Sequence, residues 1–311
     1  MIPLPEVTAG VKTPEYQLVE QFCCGAFWSA AFDGLFAPDL VADFPHAPPG
    51  MLQHMDRFEF DAFRFWLRNT VQEMAAEAVI LPTTDPEIFW AVRFAKGRVH
   101  WAKRDCAYAN EHALLIRLRE ERIVYLKDYF NPLAFYRALD LELPAFRYDP
   151  NLDAPMVRMP AGVSSALTEE ENIQRVLANF INPIDFDPGL ESIYANDIVM
   201  VCPNAPYAMP EAYEGAAFDV ENKWMFENCV DMVPPDSTPY YWSEDGRWLI
   251  IESNCHLRTL WSGHQGHYTQ RELYMVYLEG GKIRHFRVYF NPINKFSSMN
   301  QSVPSFPYFN F

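Results

Sequence analysis

Residues 36–51 read FAPDLVADFPHAPPGM and residues 194–209 read YANDIVMVCPNAPYAM. The two stretches agree at Ala37/Ala195, Asp39/Asp197, Val41/Val199, Pro45/Pro203, Ala47/Ala205, Pro48/Pro206 and Met51/Met209, each pair 158 residues apart. Further on, 108–132 (YANEHALLIRLREERIVYLKDYFNP) aligns with 268–292 (YTQRELYMVYLEGGKIRHFRVYFNP) at a separation of 160, and Arg98/Arg258 and Trp101/Trp261 keep that spacing. A drift of two residues over more than ninety means that a whole folding unit is duplicated. A solenoid repeat runs roughly 20–50 residues, whereas a period near 160 is the length of one ordinary domain. The chain is therefore expected to hold two domains, 1–150 and 151–311, with a linker in the proline-punctuated stretch 144–165. Differences between the copies then point to where chemistry sits.

With 50% hydrophobic and 15% aromatic residues, each copy can bury a core without covalent staples. A formal charge of −16 disfavours nucleic-acid backbones, which need clustered Lys and Arg, and disfavours anionic membrane surfaces equally. Cys23, Cys24, Cys106, Cys202, Cys229 and Cys255 show no CxxC spacing and do not match between the copies. They read as free thiols of a reducing compartment. The opening MIPLPEVTAGVKTPEY has no basic run followed by an apolar one. No apolar stretch approaches the roughly 18 residues of a membrane span. The expectation is a soluble, cytoplasmic protein.

Each copy opens helically. Thr13-Pro14 offers an N-cap with proline at the first helical position. Thr168 followed by Glu171 is a capping box ahead of Ile173, Val176, Leu177 and Phe180, which share one face. A proline-rich segment comes next, then a second helix expected around 60–74 and, in the second copy, 218–228. The back half reads as strands at 89–94, 98–107, 112–118 and 122–130. Helices first and an antiparallel meander afterwards predicts an α+β fold. With Gly280-Gly281 as a two-residue turn, Glu279 faces Lys282 and Val288 pairs with Leu273, which carried back places Asp128 opposite Ala113. Neither face of that hairpin is cleanly polar, so both are expected to be covered, one by helices and one by the other copy's sheet.

At this hairpin the chain resembles the phenazine-biosynthesis PhzA/PhzB family, within the NTF2-like (SnoaL-like) superfamily of cone-shaped domains. The matching series is Asp85-Pro86-x-x-Phe89-Trp90, Tyr108-x-Asn110, Asp128-Tyr129-Phe130-Asn131 and Arg137-Ala138-Leu139 through Pro144. The second copy keeps Tyr268, Leu278-Glu279-Gly280-Gly281-Lys282-Ile283 and Phe290-Asn291. The resemblance implies two cones paired as an intramolecular pseudo-dimer. It also implies acid–base chemistry on amino-ketone intermediates, with neither metal nor organic cofactor. The family's acid falls on Asp128 and, in the second copy, on Val288. Its histidine falls near Phe63 and near Asn222, so no histidine occupies that position here.

Asp128 lies among Val124, Leu126 and Phe130, where a carboxylate suits a general acid or base. The alternative is a structural Asp neutralised by Arg98, Arg104 or Arg117. His46 and His54 flank the proline-rich loop and become Asn204 and Ala212 in the second copy, so either could replace the absent histidine. Tyr108 and Asn110 could hydrogen-bond a carbonyl, and Phe63, Trp66 and Phe130 could wall a cavity for a flat ligand. His264 and His267 have H-x-x-H spacing, too little alone for a metal site. No GxGxxG, GxxxxGK[ST] or GxSxG occurs. The leading expectation is a cofactor-independent biosynthetic enzyme that condenses, cyclises or isomerises a small hydrophobic or aromatic ketone or amine. It would work from the N-terminal cone, the C-terminal one being mainly structural. A non-catalytic binder or scaffold for a hydrophobic metabolite and a SnoaL-type polyketide cyclase or dehydratase are the alternatives.

Overall fold

The computed structural model describes residues 3–5, 7, 12–101, 104–146, 168–181, 194–233, 238–260 and 266–306. Most of the expected linker lies outside them, as do Trp261 and His264. The chain divides into two compact units, one of Glu6–Leu143 with Val303–Phe311, the other of Met1–Pro5 with Pro144–Ser302. Each is α+β.

The first unit runs α1 (Pro14–Cys24), β1 (Phe36–Asp43), β2 (His54–Met55), α2 (Arg57–Thr70), β3 (Val71–Pro82), β4 (Ile88–Trp101), β5 (Arg104–Arg119), β6 (Arg122–Phe130) and α3 (Pro132–Ala138). Its strands form one sheet in the order β2-β1-β6-β5-β4-β3. β3 to β6 make the antiparallel meander, while β1 adds to β6 in parallel. The caps follow the sequence signals. The Thr13 hydroxyl accepts from the Tyr16 amide at 3.1 Å, and Asp56 with Glu59 completes a reciprocal capping box on α2.

Two expectations about the elements are corrected. α2 ends at Thr70, and the residues after it are the strand β3, paired along its length with β4. Met74-Ala75-Ala76-Glu77-Ala78 would suit a helix by propensity, but cross-strand pairing overrides that preference. The expected break near Lys96-Gly97 is also absent. β4 runs on through Gly97, which pairs with Met74 on one side and Tyr108 on the other.

The hairpin register is corrected as well. A bulge falls between Arg117 and Leu118, and its counterpart falls between Tyr277 and Leu278. Asp128 therefore stands opposite Leu114, and Val288 opposite Tyr274. One extra residue in a strand moves every later side chain to the other face. The face that carries Asp128 thus also carries His112, itself opposite Phe130 on β6 and Arg93 on β4.

The second unit runs α4 (Glu169–Ile181), β7 (Tyr194–Val201), β8 (Ala212–Glu214), α5 (Ala216–Asn228), β9 (Cys229–Val233), β10 (Tyr240–Trp242), β11 (Trp248–Thr259), β12 (Gly266–Glu279), β13 (Lys282–Tyr289) and α6 (Pro292–Ser298). Its sheet follows the same path, β10-β11-β12-β13-β7-β8, with β9 on β11. Gly280 and Gly281 turn the β12–β13 hairpin at φ 60° and 70°. Glu120 and Glu121 adopt the same left-handed conformation in the first unit without glycine's freedom.

The C-terminal tail belongs with the first unit. Phe306 packs on Trp66, Phe135 and Tyr136 with ring centroids 5.6–6.2 Å apart, and Pro304 O accepts from the Tyr136 hydroxyl at 2.6 Å. In the second unit Phe146 packs on Phe296 at 5.5 Å. Phe146 and Phe306 are equivalent at the repeat spacing, as are Tyr136 and Phe296.

His285 on β13 is buried against Trp248, 6.2 Å away between rings. Burial first, and Arg287 second, lower its pKa to about 3. Unfolded, the ring takes a proton below about pH 6.5. The stability gained by burying it neutral is whole above that pH and is lost as pH falls through about 3, a difference of up to about 5 kcal/mol. The urea midpoint plotted against pH should therefore fall along an acid limb between about pH 6.5 and 3. His285→Phe should flatten that limb; an unchanged limb would assign the acid loss elsewhere.

Candidate active site

The first unit encloses a pocket lined by residues that include Phe27, Trp28, Phe44, Phe63, Phe130 and Phe135, with Arg93, Tyr108, His112 and Asp128 as its ionisable groups. The turn after α1 supplies one wall, α2, β3 and α3 supply others, and β4 to β6 form the floor. Three adjacent strands place ionisable side chains in the pocket: Arg93 from β4, Tyr108 and His112 from β5, and Asp128 from β6.

Asp128 is buried and takes both of its hydrogen bonds from one donor. Its two carboxylate oxygens each lie 3.0 Å from His112 Nδ1. A carboxylate only accepts, so Nδ1 carries the proton and Nε2 is left as an acceptor. The Tyr108 hydroxyl, 3.3 Å from Nε2, donates to it. Asn110 Nδ2 donates in turn to the Tyr108 oxygen at 2.9 Å and to Asn131 O at 3.0 Å. Burial pushes the Tyr108 phenol well up from its ordinary pKa, which keeps it a donor. The chain Asn110–Tyr108–His112–Asp128 points every hydrogen towards the carboxylate. Two of the roughly four lone-pair positions of Asp128 are left for another partner.

Arg93 is 2% exposed. Its Nε donates to Cys23 O at 2.7 Å and one Nη donates to Gly25 O at 3.2 Å, which ties β4 to the end of α1. The guanidinium also lies over the Phe27 ring, 5.6 Å from its centroid. Burial lowers its pKa from the usual arginine value.

Of the residues singled out from sequence, Asp128, Tyr108, Phe63 and Phe130 line the pocket. Asn110 holds Tyr108 from behind. Trp66 stacks on Phe63 at 6.1 Å and is a second layer, outside the lining. The structure does not bring His46 and His54 to Asp128. His46 is fully buried with its ring edge on Tyr129, 5.2 Å away, and Tyr129 points to the opposite side of β6 from Asp128. His54 lies at the surface, its Nδ1 2.7 Å from Asp43, which also accepts from the Tyr125 hydroxyl. Arg98 pairs with Asp105 and Arg117 with Glu87, so neither neutralises Asp128. The side chain of Arg104 lies outside what is described.

His112 is the residue that sequence reasoning missed. It is two residues beyond Asn110 and four beyond Tyr108, and so shares their face of β5. The repeat offers a further signal, since His112 aligns with Glu272, another ionisable group. In the second unit Glu272 accepts from Tyr268 at 3.3 Å, from Cys255 Sγ at 3.2 Å, and from Gln270 and Tyr274. Phe63 and Phe135 are matched there by Glu221 and Lys295, both buried, while Asp128 is matched by Val288. The two units have thus diverged at the positions that line the first pocket. Among the described residues, no three His, Cys, Asp or Glu side chains gather as metal ligands, and no helix is long and apolar enough to cross a membrane.

The sequence matches no protein-family model and no curated protein. Solved structures do match. A phenazine biosynthesis-related protein from Pseudomonas aeruginosa aligns at 16% identity, covering 43% of this chain and 90% of its own, with a TM-score of 0.39. An NTF2-like protein from Burkholderia xenovorans LB400 aligns at 21% identity over 40% of this chain and 95% of its own, with a TM-score of 0.32. The chain is similar to NTF2-like proteins. A candidate SnoaL-like polyketide cyclase from Mesorhizobium loti aligns at 18% identity over 40% of this chain and 99% of its own, with a TM-score of 0.32. Each alignment spans less than half of this chain, which carries two α+β units with the same strand order.

Proposed function

We propose that the first unit is an acid–base catalyst that shifts protons on a small, conjugated ketone or imine, leading to isomerisation, cyclisation or condensation. The observation that carries this reading is Asp128, a buried carboxylate held by His112 within an otherwise largely aromatic pocket. A C–H beside a carbonyl loses its proton to a carboxylate that is desolvated and aimed, and such proton transfer contributes typically 10²–10⁴-fold. In the forward step Asp128 accepts the proton while the C–H electron pair moves into the enolate. In the return step the protonated Asp128 delivers the proton to a different carbon. The chemistry calls on side chains alone. His112 fixes the carboxylate and answers its changing charge through Nδ1–H. Aromatic walls favour a flat, apolar ligand.

A second reading, a binding protein for a hydrophobic metabolite, draws on the aromatic and aliphatic lining of the pocket. Its free space is about 30 Å³, enough for about two waters, so any aromatic ligand must displace Met74 or the phenylalanines. Proton exchange separates the two readings. Small cyclic enones incubated in D₂O with the protein should lose α-proton NMR signals faster than in buffer alone. Saturable binding without exchange would install the binding reading instead.

A further inference from the structure

We propose that Arg93 is the oxyanion-binding residue of this pocket, its unused guanidinium N–H groups receiving the ligand oxygen on which negative charge develops. A guanidinium has five N–H donors. Two of those on Arg93 are bound to Cys23 O and Gly25 O, and no described residue accepts from the other three. The group lines the pocket, is 2% exposed and forms no ion pair with Asp128. A buried cation without a charged partner is costly, and here its idle donors share the cavity with the base. Register places it well. Arg93 is the direct cross-strand neighbour of His112, and Asp128 lies one strand further along the same face. A ketone lying across these three strands would set its α-carbon at Asp128 and its oxygen at Arg93.

The inference rests on the reading of Asp128 as the base, but the two fail separately. When the proton leaves carbon for Asp128, the electron pair becomes the enolate and its oxygen gains the charge that the guanidinium meets. Donors fixed in a dry site are worth most at that moment, and removing one typically costs about 10²–10³-fold in rate. The two backbone anchors hold the guanidinium in place, so little reorganisation accompanies the charge transfer.

Phenols that ionise near neutral pH mimic the enolate, and their ultraviolet spectra report whether the bound form is phenolate. The wild-type protein should bind such phenols as phenolate at pH values where they are mostly neutral in water. Arg93→Gln should weaken that binding roughly ten- to hundredfold and leave the bound phenol neutral. Arg93→Lys keeps a cation able to reach the carbonyls of α1 and guards against misfolding; it should ionise the phenol only in part. Asp128→Asn should lower α-proton exchange by about 10²-fold or more yet bind phenolate as well or better, since a nearby negative charge is gone. Failure of the base reading would show as exchange unaffected by Asp128→Asn while phenolate binding still depends on Arg93. Neutral bound phenol in the wild type, equal ionisation in Arg93→Gln, or no phenol binding at all would overturn the role given to Arg93.

Discussion

Replacing Asp128 with Asn should lower the α-proton exchange rate by about 10²-fold or more and leave the fold intact. The side chain keeps its volume, and its amide oxygen can still accept from His112 Nδ1, which lies 3.0 Å from the carboxylate in the parent protein. What it loses is the capacity to take a proton. His112→Gln keeps a donor of similar reach and should cost less than Asp128→Asn, because it disturbs the aim of the base without removing it. Glu272→Gln, at the position of the second unit that aligns with His112, should leave exchange unchanged. An equal loss from Glu272→Gln would mean that both cavities work, and full exchange by Asp128→Asn would remove Asp128 from the mechanism. Melting curves of each variant separate loss of chemistry from loss of fold.

Phe60→Ala should destabilise the first unit by about 3–5 kcal/mol, the usual range for emptying a buried aromatic site. Phe60 is fully buried on α2, and the rings of Phe27, Phe36 and Phe44 lie 5.2–6.5 Å from it. Phe27 and Phe44 also line the pocket, so the variant should lose ligand binding along with stability. Phe218 is the equivalent residue of α5, also buried, with Tyr194 5.0 Å away. Phe218→Ala should lower the urea midpoint comparably and leave exchange intact at temperatures where the protein stays folded. Loss of exchange in folded Phe218→Ala would show that the chemistry is not confined to the first unit.

The repeat spacing of 158–160 residues is covalent information, and it alone established that the chain holds two similar units, while the order of helices before strands pointed to their α+β type. Helix starts were equally legible, because Thr13-Pro14 and Thr168 with Glu171 act through hydrogen bonds spanning three or four residues. Asp128 stood out because it is a charged side chain in an apolar strand at the position where the family resemblance places an acid, and Tyr108, Phe63 and Phe130 entered through the same resemblance. What surrounds Asp128 was another matter. A single extra residue on β6, Val124, opposite the step from Arg117 to Leu118 shifts the pairing of β5 with β6, and no periodicity marks where a strand will bulge. That shift put His112 rather than Ala113 on the face of the acid. Arg93 joined them through the register of β4, a neighbour of His112 chosen from 19 positions earlier in the chain. His46 and His54 were as plausible as His112 by composition and by position beside a loop. Tertiary packing turned one onto Tyr129 and the other into solvent, because a side chain's partners are set by which strands pair and in what register, and local sequence does not encode that choice.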